Sequence, residues 1–141
     1  MGDIIKSYQF SEDSAVNMMK PIVFCNCPKE IEADAVSINI ALAKELQKQS
    51  SAMLRTMRLE KCLQDVIESL GEKPVIKDFD VLFNPAYQTD VIKALINVCR
   101  KRQFSAIWPG RYEDGRLYYA EEEYEDYKVY EISNYDITVI I

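Results

Sequence analysis

Pro21-Ile22-Val23-Phe24-Cys25 is an unbroken apolar run, and a short strand without polar alternation has to be covered on both faces. A chain that commits to such a strand commits to a layered fold. Phe104-Ser105-Ala106-Ile107-Trp108 has the same character, residues 136–141 end the chain apolar, and residues 35–40 and 74–83 are further strand candidates. Helical patterns lie between them. Leu42 and Leu46 fall one turn apart in a stretch expected to continue to about residue 53. Leu59, Cys62, Leu63, Val66, Ile67 and Leu70 mark a second helix, and Gly71 stands where a left-handed cap would end it. Ile92, Leu95, Ile96 and Cys99 mark a third, from about residue 89 to residue 102. Strands separated by helices predict an α/β fold with a mostly parallel sheet and helices on both faces. Beyond Trp108-Pro109-Gly110 the pattern changes to short strands, residues 116–120 and 127–132, on either side of an acidic stretch, which predicts an added C-terminal β-hairpin.

At 141 residues the chain is most economically one domain, long enough to bury roughly two-thirds of the surface it exposes when unfolded. Residues 1–20 read as an N-terminal arm or short helix and residues 21–141 as a single α/β domain. No stretch approaches the roughly 20 apolar residues that cross a bilayer, and the N-terminus lacks a cationic start followed by an apolar run, so a cytoplasmic location with no membrane partner is expected. The four cysteines are not spaced as a disulfide framework, and free thiols are expected. A net charge of −6 opposes general attraction to DNA. The clusters Arg55, Arg58, Lys61 and Arg100-Lys101-Arg102 keep nucleic-acid binding as a weaker alternative. Histidine is absent, which removes the commonest general base and the commonest zinc ligand.

A phosphate cradle needs glycines that let backbone N–H groups close on the ligand, followed by Lys and Ser or Thr. The glycines here are Gly2, Gly71, Gly110 and Gly115, and the first covered strand is followed by Asn26-Cys27-Pro28-Lys29-Glu30-Ile31-Glu32. Pro28 lacks a donor, and Glu30 and Glu32 repel phosphate. Asp78 and Asp80 lie near the end of a candidate strand, on one face by alternation, where Mg²⁺-binding acids of phosphotransfer enzymes are found. They are the candidate metal ligands, against a plainer reading as solvated acids at a loop edge. Cys25 and Cys27 are too few for a closed zinc site and read as small buried side chains. Tyr112, Tyr118, Tyr119, Tyr124, Tyr127, Tyr130 and Tyr135 make the last third of the chain aromatic, with Arg111 and Arg116 interleaved. Such residues suit cross-strand pairing in a hairpin, a protein-docking surface or the stacking of bases.

In Val36-Ser37-Ile38-Asn39-Ile40-Ala41-Leu42, in Asp80-Val81-Leu82-Phe83-Asn84-Pro85, and above all in Trp108-Pro109-Gly110 followed by Leu117-Tyr118-Tyr119-Ala120 and Glu125-Asp126-Tyr127, the chain resembles the BrxF family. These are small P-loop-containing proteins of type 3 BREX bacteriophage-defence systems. The resemblance runs from about residue 21 to residue 141. It implies a P-loop-NTPase-like core working beside larger proteins of the same operon. The family's glycine-rich phosphate loop is replaced here by residues 25–34, and Asp80 matches one of its acidic pair, which implies a degenerate member.

The leading expectation is therefore a non-catalytic, NTPase-like interaction subunit of a phage-defence system, needing no cofactor. Trp108, Arg111, Tyr112, Tyr118 and Tyr124 are its candidate partner-binding residues. The alternative is an unconventional ATP-binding protein or ATPase with Mg²⁺, its pocket formed near Asn26, Asp78, Asp80 and Arg111.

Overall fold

A computed structural model describes residues 2–10 and 20–141. Six short strands form one all-parallel sheet: β1 (Asp3–Ile5), β2 (Ile22–Phe24), β3 (Val36–Ser37), β4 (Val75–Lys77), β5 (Ser105–Ile107) and β9 (Thr138–Ile140). Their spatial order is β1-β9-β2-β5-β4-β3. The register aligns Val23 with Ala106 and Val139, and Ile76 with Ala106. Strand side chains alternate between faces, so Val23, Ile76, Ala106 and Val139 point one way, and Ile22, Phe24 and Ile140 the other.

The first face carries the main core. Among the described residues three helices cover it: α2 (Asn39–Gln47) through Leu42 and Leu46, α4 (Leu59–Glu68) through Leu63 and Ile67, and α5 (Val91–Cys99) through Ile92 and Leu95, all essentially inaccessible. Ser51 Oγ accepts the Leu54 N–H and starts α3 (Ala52–Met57), splitting the single helix expected to run from residue 41 to residue 53. Asp90 caps α5 by accepting the Lys93 N–H, and Gly71 takes the expected left-handed φ of 92° beyond α4. The second face holds a smaller cluster of Ile22, Phe24 and Ile140. Ile31 of α1 (Lys29–Ala33), together with Ile5, Phe10, Cys27 and Ile107, packs on it. Helices thus lie on both faces of a parallel sheet, as the sequence predicts.

The C-terminal element is larger than a hairpin. β6 (Arg111–Glu113), β7 (Arg116–Tyr119) and β8 (Lys128–Glu131) form a separate three-stranded antiparallel sheet. Asp114 and Gly115, at φ 49° and 78°, supply the two left-handed residues that a tight hairpin turn requires.

Two local expectations change. Residues 3–5 of the N-terminal stretch join the sheet as an edge strand, through pairing of Ile4 with Val139. Ser7–Gln9 form a 3₁₀ turn, and residues 11–19 of the arm or short helix expected there lie outside the described residues. The strand expected over residues 74–83 stops at Lys77, because Asp78 adopts a left-handed φ of 51° and residues 80–83 wind into a 3₁₀ turn. Asp78 and Asp80 are therefore not alternating strand residues on one face. No described helix is long and apolar enough to cross a membrane.

Candidate functional site

Open parallel sheets bind ligands beyond the carboxyl ends of their strands, where successive crossovers depart in opposite directions. Here the chain leaves β2 toward β3 on one side, and later passes from β5 over β2 to β9 on the other. The carboxyl ends of β2, β5 and β9 are the place to look.

At the end of β2 the backbone is closed by its neighbour. The Cys25 and Asn26 N–H groups both donate to the Ile140 carbonyl, at 2.8 and 3.1 Å. Pro28 offers no N–H, and its carbonyl accepts from Ile31 and Glu32 at 3.1 and 3.0 Å as α1 begins. That helix is only five residues long and carries Glu30 and Glu32 in its first turn, where the positive pole would otherwise favour an anion. The Asn26 amide donates to Ser7 Oγ at 3.2 Å. Burial pushes the Cys25 thiol up to about 12, and burial together with Glu32 raises Cys27, so both are protonated and poorly nucleophilic at neutral pH.

The ends of β4 and β5 are built up with side chains instead. Asp80 accepts from Tyr119 Oη at 2.8 Å and from the Asn39 amide at 3.2 Å, while Asn39 Oδ1 accepts the Val81 N–H at 3.0 Å. This network ties the start of α2 to the turn after β4 and to β7. Burial and the bond to Asp80 raise the Tyr119 phenol well above its usual range. Beneath it the Tyr119 and Phe83 rings stack with centroids 3.7 Å apart and planes 4° off parallel.

Trp108, expected to meet a partner, is 4% exposed. Its ring lies edge-on to Phe83 and Tyr130, and its indole N–H donates to the Tyr118 carbonyl at 2.9 Å. It fastens the small sheet to the large one and offers no surface to another protein. The close approach explains Gly110: a Cβ there would collide with the Tyr118 carbonyl. The other candidate partner residues lie on the small sheet or, for Tyr124, in the loop between β7 and β8. Arg111 is exposed, donates to the Ala120 carbonyl at 3.2 Å, meets Glu121 at 3.4 Å, and lies 4.6 Å above the Tyr118 ring. Tyr112 is half-buried against the core, and Tyr124 is 59% exposed.

The four residues expected to shape a nucleotide pocket thus have separate engagements. Asn26 meets Ser7, Asp80 meets Tyr119 and Asn39, Arg111 meets the β7 end, and Asp78 is an exposed turn residue. Among the described residues no group of three or more Cys, Asp or Glu side chains is arranged to hold a metal ion. The donor set does not fit a magnesium triphosphate, because the first-turn carboxylates repel it and two of the nearest backbone donors are committed to Ile140. A cleft of about 420 Å³ opens elsewhere, between α1 and residues 72–75, with Glu30, Asp34 and Glu72 on its walls.

Sequence reasoning missed Asn39 and Phe83 as partners of this network, since both bonds and stacking join segments far apart in the chain. No protein-family model, curated protein or solved structure matches the chain.

Proposed function

We propose that the protein is a non-catalytic subunit with an NTPase-like scaffold, acting by protein–protein interaction in a bacterial phage-defence system of the BREX type. One observation carries the non-catalytic half of this reading: the carboxyl end of β2 is sealed by two N–H bonds to Ile140 and followed by Pro28 and an acidic first turn. A phosphate loop needs converging, uncommitted donors at that point. The scaffold half is supported by the parallel sheet with helices on both faces, the α/β core that the resemblance implies. The defence-system half rests on the resemblance centred on Trp108-Pro109-Gly110.

Partners are then other proteins of the same operon, in the bacterial cytoplasm, and the outer face of the small sheet around Arg111 and Tyr118 is the surface offered to them. Arginine and tyrosine are enriched at interface hot spots. Titration calorimetry with ATP and Mg²⁺ is expected to give no saturable heat. Micromolar binding, or a hydrolysis rate abolished by Asp80→Ala, would overturn the non-catalytic reading. Affinity purification after co-expression with the other defence proteins tests the partner half: a complex weakened by Arg111→Ala is expected, and recovery of the chain alone counts against it.

A further inference from the structure

Helix α3 is turned inside out. Met53 and Met57, one helical turn apart, are 72% and 73% exposed, and Leu54 beside them is 38% exposed. Arg55 is instead drawn partly inward, its Nε buried without a hydrogen-bond partner, and Arg58 is exposed with no ion pair among the described residues. An isolated exposed apolar residue needs no explanation, but an apolar helix face edged with arginine has the composition of an interface centre, where Met and Arg are enriched.

The same chain exposes a complement. Residues 121–126 hold five carboxylates around one aromatic ring, Tyr124. The loop is ordered by backbone bonds from Tyr124 to Glu121 and from Tyr127 to Tyr124, at 3.0 and 3.2 Å, so the ring is presented on a fixed support. Crowded carboxylates repel one another, and a cationic surface relieves that repulsion. Thioether sulfur against an aromatic ring is a favourable contact. No hydrogen bond or ion pair joins this loop to α3 among the described residues.

We propose that the chain self-associates by seating the Tyr124 loop of one copy on the Met53–Met57 face of α3 in another, with Arg58 facing the carboxylates. The contact is between two different surfaces, so it closes as a reciprocal dimer or propagates as a ring or chain. It does not depend on the defence-system reading. Exposed charges across it make association fall with ionic strength.

Sedimentation velocity over a concentration series tests it. At low salt the wild-type mass is expected to rise above the single-chain 16.3 kDa and to return toward it in high salt. Met53→Ser with Met57→Ser, and separately Arg58→Glu, each weaken association at least about tenfold, equivalent to about 1.4 kcal/mol. Glu122→Lys with Glu123→Lys and Glu125→Lys does the same. Mixing the Arg58→Glu chain with the loop-reversed chain restores association, because each then meets the opposite charge. All the altered side chains are exposed, and circular dichroism confirms that each variant keeps its fold. A wild-type chain that stays monomeric throughout, variants that associate like wild type, or folded charge-reversed chains that fail to recombine would each overturn the proposal.

Discussion

The carboxyl edge of the large sheet is finished in two different ways. Over β4 and β5 it is roofed by side chains: Phe83 stacks on Tyr119, Trp108 sits edge-on between Phe83 and Tyr130, and Asp80 holds Tyr119 from above. Over β2 and β9 it is finished by backbone, with the Ile140 carbonyl receiving two N–H groups and exposed Asn26 bridging to Ser7. An α/β sheet normally leaves this edge open for a ligand. In this chain one half has been given to docking a second sheet, and at the other two backbone donors are committed to Ile140 ahead of an acidic helix turn. The half that carries buried area should govern stability, while the half at the switch point should be nearly neutral to it.

The largest test of that contrast is Phe83→Ala. Phe83 is 2% exposed and touches both Tyr119 and Trp108. Removing a buried Phe costs about 3–5 kcal/mol when the site cannot collapse, and two rigid rings on either side oppose collapse. Urea denaturation should show this loss. A change below about 1 kcal/mol would mean that the small sheet is not packed against the large one as described.

Gly110→Ala comes next. The added methyl meets the Tyr118 carbonyl, the same oxygen that accepts the Trp108 indole N–H. Relieving the collision shifts β6 from β7 or breaks that bond, at about 1–3 kcal/mol. A blue or red shift of Trp108 fluorescence in the folded variant is the accompanying readout, since Trp108 is the only tryptophan in the chain.

These positions also mark what could be read from the residues in advance. The unbroken apolar runs gave the covered parallel strands, because a strand without alternation has no solvent face, and the spacing of Leu59 to Ile67 gave α4 in the same way. Both signals are local. Trp108 could not be placed so easily: an aromatic beside Pro, Gly and Arg looks alike whether it points to a partner or to its own core, and Gly110 decides the matter through contact with a strand eight residues on. Asp78 and Asp80 misled because alternation was extended through a residue that takes a left-handed turn, a conformation that Asp tolerates without announcing. Asp3-Ile4-Ile5 became a strand by pairing with β9 at the opposite end of the sequence, and three residues carry no periodicity of their own.

A smaller test concerns pH. The Tyr135 hydroxyl donates to Asp90 at 2.7 Å, fastening the segment before β9 to the cap of α5. Burial first, and then the bond to Asp90, push the Tyr135 phenol up to about 12. An unfolded tyrosine titrates near about 10, so the folded state binds the proton more tightly. The stability from this group is complete below about pH 10 and is lost as pH rises toward 12. Tyr135→Phe should lower stability at neutral pH by about 1 kcal/mol and flatten its decline in alkali. An unchanged alkaline slope would show that Tyr135 titrates alike in the folded and unfolded chains.

The smallest expected effect lies at the other half of the edge. Asn26 is exposed and its one side-chain bond among the described residues, to Ser7, is 3.2 Å long. A solvated amide–hydroxyl pair is readily replaced by water, so Asn26→Ala should change stability by no more than about 0.5 kcal/mol. The backbone bonds from Cys25 and Asn26 to Ile140 persist in that variant because they use no side chain. A loss comparable to that of Gly110→Ala would mean that the two halves of the edge are energetically alike. The pairing of Asn26 with Ser7 would then be what holds β1 and the N-terminal segment over the end of β2, and the switch point would be sealed by side chains as well as by backbone.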